Sequence, residues 1–70
     1  MAGTLRNYYV DASALSPKEF NELYHRIDGW SFFTSLDIRY PRCFVVHWDR
    51  EESIESIVDI PDGVSISSMP

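Results

Sequence analysis

The chain has 70 residues, a single cysteine and a net charge of −5 from 11 acids and 6 bases, with 44% hydrophobic residues and only three glycines. A length of this order allows one domain over residues 1–70, and the lone Cys43 excludes an internal disulfide framework. No apolar run nears the ~20 residues a membrane span needs, and the N-terminus lacks the charged-then-apolar pattern of a signal peptide, so a soluble cytoplasmic protein is expected.

In chain order, "RNYYVDA" is rich in aromatic and β-branched residues and predicts a short first strand. "ALSPKEFNELYHRIDGW" carries the strongest local signals. Ser16 is placed as N-cap, Pro17 as first helical residue and Glu19 as the return partner of a capping box. Leu15 and Phe20 suit a hydrophobic staple, and Phe20, Leu23, Tyr24 and Ile27 share one helix face. Lys18–Glu22 and Glu22–Arg26 are i,i+4 pairs on the other side, and Gly29 is expected just past the helix end.

"FFTSLDIRY" alternates, with Phe32, Leu36, Ile38 and Tyr40 on the parity expected to be buried. Pro41-Arg42 is the expected turn, and "CFVVHW" reads as a central strand. Asp49 and Glu52 then show a D-x-x-E spacing before Ile54, Ile57 and Val58, which predicts a second helix over about residues 50–59. Pro61-Asp62-Gly63 is turn chemistry, and "GVSISSM" predicts a final half-buried strand. The order β-α-β-β-α-β predicts an α+β, ferredoxin-like domain. Its four-stranded antiparallel sheet would have the first and third strands in the centre and both helices on one face.

Residues that could carry chemistry are few. Cys43 and His47 share a face of one strand, but four residues separate them by roughly 13 Å, too far for a thiol–imidazole pair. His25 has no second His or Cys at metal-ligand spacing. No phosphate loop, nucleophile elbow or zinc-protease motif occurs. The expectation is a protein that is not an enzyme and takes no cofactor or metal.

Tyr8, Tyr9, Phe44 and Trp48 fall on the two central strands, and "RCFVVHW" resembles the third-strand signature of RNA-recognition motifs. That resemblance would imply weak RNA binding by stacking on the sheet. It lacks the signature's glycine, and a pI of about 4.7 runs against a phosphate binder, so direct nucleic-acid binding is not expected. The bland alternative is that these rings fill the core.

The charge is segregated. Residues 49–62, "DREESIESIVDIPD", hold six acids (Asp49, Glu51, Glu52, Glu55, Asp59, Asp62) and one base, Arg50, while residues 1–48 balance at five of each. Acids in a first helical turn favour the helix dipole and keep a polar face solvated, which is one reading. The other is a partner-binding ridge formed by those six acids, steered to a basic protein surface that normally holds nucleic acid. In size, charge and compactness such a chain resembles anti-restriction and anti-CRISPR inhibitors of phages and mobile elements, which implies a nucleic-acid-mimicking inhibitor. It is also similar in size and strand–helix order to inhibitory propeptides of subtilisin-like proteases, which implies that "VSISSMP" would be presented to an enzyme. An assembly protein, homodimeric through the open sheet or an edge strand, is the remaining expectation.

Overall fold

The computed structural model describes residues Leu5–Met69, with the elements β1 (Arg6–Asp11), α1 (Pro17–Trp30), β2 (Phe33–Leu36), β3 (Cys43–Trp48), α2 (Ile54–Ile57) and β4 (Ser65–Ser68). One four-stranded antiparallel sheet runs in the order β2-β3-β1-β4, so β1 and β3 are central. This is a small α+β domain.

α1 begins as its local chemistry requires. The Glu19 backbone N–H donates to Ser16 Oγ at 3.2 Å, and the Ser16 N–H donates to Glu19 Oε1 at 3.1 Å, closing both halves of the capping box. The far end differs from expectation. The helix runs through Gly29 to Trp30, and Ser31 is the cap residue, its N–H reaching the Ile27 carbonyl and its Oγ donating to that of Asp28. With these donors available, no left-handed glycine is needed to stop the helix. Neither Lys18 nor Arg26 reaches Glu22; among the described residues the one ion pair is Arg39–Asp37.

The register explains the core. Tyr8 lies opposite Val46, Val10 opposite Phe44 and Arg6 opposite Trp48, so alternate residues of the two central strands share the helix-facing side. Val10, Phe44, Val46 and Trp48 are fully buried there with Leu23 and Ile27 of α1 and Ile54 of α2. Both helices therefore contribute to the core on the same side of the sheet. Gly63 adopts φ +90° in the turn before β4, where a Cβ would sit 3.2 Å from that of Ala14.

Two expected elements are shorter than the pattern suggests. β2 stops at Leu36, because the Asp37 carboxylate accepts the Arg39 backbone N–H and turns the chain, with Arg42 at φ 59° completing the connection to β3. Of the parity expected to be buried, Phe32, Leu36, Ile38 and Tyr40 are all exposed, and Thr34 takes the inward place. On this edge strand α1 covers Thr34 alone, through Tyr24 and Asp28, and the residues to either side of it stay open. The expected helix over residues 50–59 is one turn, Ile54–Ile57, with Ser53 rather than Asp49 at its N-cap. Side chains from elsewhere claim the intervening backbone. Arg6 Nη2 donates to the Arg50 carbonyl and Trp48 Nε1 donates to the Glu52 carbonyl at 2.7 Å, which holds residues 49–52 in an irregular bend.

Candidate functional site: the acidic segment and the open face of the sheet

The bend places the acids unevenly. Asp49 is half-buried, whereas Glu51, Glu52, Glu55, Asp59 and Asp62 are all exposed. Asp49, Glu51 and Glu52 line one shallow recess together with Arg50. Glu55 lies in the single turn of α2, Asp59 follows that turn, and Asp62 stands in the turn before Gly63. The segment is thus a bend, a turn of helix and a second turn, and the continuous helical ridge expected over residues 50–59 does not form. Only Glu55 sits where it can favour a helix dipole.

Arg50 is the one base in the segment, and the fold engages it elsewhere. Its Nε donates to the Trp30 carbonyl at 2.6 Å, and its guanidinium lies 4.9 Å from the centroid of the Trp30 ring. The last turn of α1 contains no base of its own. Arg50 supplies that missing cation from twenty residues away, satisfying a carbonyl at the negative end of the helix. The six carboxylates of residues 49–62 have no ion-pair partner among the described residues.

The face of the sheet away from the helices carries the other parity. The Tyr9 hydroxyl donates to Asp37 Oδ2 at 2.6 Å, and Arg39 Nε donates to Asp37 Oδ1 at 3.2 Å. The guanidinium, helped by the hydroxyl, holds the Asp37 carboxyl at about 2, and the same carboxylate raises the Tyr9 phenol above its usual value. Asp11 accepts from the Ser13 hydroxyl at 2.7 Å and from its N–H at 3.0 Å, which lowers its pKa. Burial raises the Cys43 thiol. Tyr9, Asp11, Ser13, Tyr40, Pro41 and Cys43 line a small recess at this end. At the other end His47 Nδ1 lies 2.7 Å from Asn7 Oδ1, with the Phe33 ring tilted against the imidazole.

Cys43 and His47 accordingly have separate partners, Asp11 and Asn7, four register positions apart. His25 is exposed on α1, and no three His, Cys, Asp or Glu side chains gather into a metal site among the described residues. No helix is long and apolar enough to cross a membrane among those residues.

The four rings read as a stacking surface are divided by the pleat. Phe44 and Trp48 are fully buried on the helix side, Tyr8 packs against that same core, and Tyr9 alone of the four occupies the open face. The tail is not free for presentation to an enzyme either. Ser65–Ser68 pairs with β1, and the Met69 N–H donates to the Asn7 carbonyl at 2.8 Å, with Pro70 outside the described residues.

Sequence reasoning missed two features. The engagement of Arg50 by Trp30 needed the tertiary fold, and its faint signal is the absence of any base in the last turn of α1. The exposed apolar edge around β2 was hidden by an alternation that looks half-buried. No family model matches this chain, and neither curated proteins nor solved structures give a match.

Proposed function

We propose that the protein is a non-catalytic protein-binding module of ferredoxin-like arrangement. Its acidic segment docks on a basic, nucleic-acid-holding surface of another protein. Supporting the arrangement are the β-α-β-β-α-β order, the central β1 and β3 and the shared core of the two helices. The observation that carries the function is electrostatic. Five exposed carboxylates, Glu51, Glu52, Glu55, Asp59 and Asp62, have no ion-pair partner among the described residues, while the only base in their segment is spent on the end of α1. Such a field speeds encounter with a basic surface and excludes acidic ones. Within this reading the protein acts as a small inhibitor of the anti-CRISPR or anti-restriction kind.

The test is capture from a lysate of the source cell or its host, followed by binding measurements on the captured protein. The expected result is a nucleic-acid-binding protein released by moderate salt and by competing DNA or RNA. Its binding should be lost in the combined Glu51→Gln, Glu52→Gln, Glu55→Gln variant while the circular dichroism spectrum is retained. Unchanged binding by that folded variant would refute the role of the acids.

A further inference from the structure

β2 is an edge strand of unusual character. Edges are ordinarily blunted by shortness, lysine, proline or inward charge; Phe33–Leu36, Phe-Thr-Ser-Leu, is short at four residues and carries none of the chemical devices. Around it Trp30, Phe32, Phe33, Leu36, Ile38 and Tyr40 are exposed, from 46% for Trp30 to 99% for Ile38. With about 150–250 Å² per large ring and roughly half or more of each left open, these residues expose on the order of 600 Å² in all, divided between the two faces of the edge and the turn after it. A standard interface takes about 800 Å² from each partner, so this exposure is of the size that an interface built around the edge would use.

The backbone defines how this edge is oriented. The Asp37 N–H donates to the Cys43 carbonyl at 2.9 Å, continuing the register in which Leu36 faces Phe44 and Ser35 faces Val45. Bonded and non-bonded pairs alternate along an antiparallel ladder. Phe33 and Ser35 therefore direct their backbone groups at β3, whereas Thr34 and Leu36 direct theirs outward.

We infer that the protein forms a two-fold dimer in which β2 pairs antiparallel with β2 of a second copy, giving one continuous eight-stranded sheet. A two-fold axis normal to the sheet keeps the helices of both copies on one side and allows only registers in which like faces meet. Placing the axis at Ser35 sets Ser35 against Ser35 of the second copy and Thr34 against its Leu36. All four outward N–H and C=O groups on each β2 then find partners, forming four hydrogen bonds across the joint. The net charge of −5 does not oppose this contact. β2 itself has no charge; of the charges beside it Asp37 and Arg39 neutralise each other, and the Asp28 carboxylate is held by the Thr34 hydroxyl at 2.7 Å. The opposite edge, Ser65–Ser68, is serine-rich. With one apolar edge per copy the association closes at two instead of growing into a filament.

Sedimentation equilibrium of the full chain should show twice the 8.1 kDa monomer mass. Ser35→Lys brings two like charges face to face on the axis and should raise the dimer dissociation constant on the order of 100-fold, with the circular dichroism spectrum unchanged. Ser35→Cys places two thiols in a non-bonded pair about 4.5 Å apart at Cα, within disulfide range, and should give a covalent dimer under mild oxidation. A wild-type protein that stays monomeric at millimolar concentration would overturn the inference. So would a dimer that persists in Ser35→Lys and fails to cross-link in Ser35→Cys, because it would use another surface.

Discussion

Replacing Trp48 with phenylalanine tests both the core and the shape of the acidic segment. The side chain is fully buried at the end of β3, and its indole N–H donates to the Glu52 carbonyl at 2.7 Å. Phenylalanine keeps one ring in place and loses the other. A residual void of roughly 40 Å³ at about 24 cal/mol per Å³ costs ~1 kcal/mol. The lost hydrogen bond adds ~1 kcal/mol, the usual net worth of such a bond. The expected total of about 2 kcal/mol corresponds to a fall in Tm of about 8–16 °C for a domain of this size. Urea unfolding followed by circular dichroism measures it. The variant leaves Trp30 as the only indole, so its fluorescence should report a half-exposed ring. Hydrogen exchange at Ser56 and Val58, whose N–H groups bond to the Ser53 and Ile54 carbonyls, should quicken as the bend loosens. A loss below about 0.5 kcal/mol, with exchange unchanged, would refute the view that this indole pins the segment.

Two further predictions concern polar groups at the sheet. Thr34 is buried, its hydroxyl donating to Asp28 Oδ1 at 2.7 Å and lying 3.0 Å from the Tyr24 hydroxyl. Thr34→Val keeps the shape and removes both hydrogen bonds, one of them to a carboxylate, so urea unfolding should show a loss of about 1–2 kcal/mol. Asp37 has its pKa lowered from 3.8 to about 2 in the folded state, so its contribution to stability is complete above pH 3.8 and disappears as the pH falls through 2. Tyr9→Phe removes one of the bonds responsible and should raise that pKa in a carboxyl NMR titration, moving acid unfolding to higher pH. An unmoved titration would show the tyrosine to be irrelevant to it.

How far the sequence revealed the molecule depended on where each residue finds its partner. The start of α1 was fully legible, because Ser16, Pro17 and Glu19 act on backbone within three positions of themselves. The turn at Gly63 was legible for the same reason. The second helix was overestimated because the side chain that takes the Arg50 carbonyl comes from Arg6, 44 positions away. In β2 the alternation put Leu36 on the helix side but not under cover, because α1 reaches this edge strand only at Thr34. The acids at 49–62 were visible as a composition. Their division between bend, turn and short helix was not, since it follows from Trp48 and Arg50 binding to distant or irregular backbone.

The central place of β1 has a consequence for how the chain reaches its native state. Its nearest sheet partner in sequence is Cys43, 32 positions beyond Asp11, and Tyr8 pairs with Ser68, 60 positions further on. Each such contact closes a long loop before any pairing energy is returned. Among the described residues the β2–β3 hairpin is the only locally connected part of the sheet, and α1 the only helix long enough to form early. Folding should therefore be slow for 70 residues, in the millisecond-to-second range typical of non-local sheets, with β1 captured between strands that are synthesised long after it.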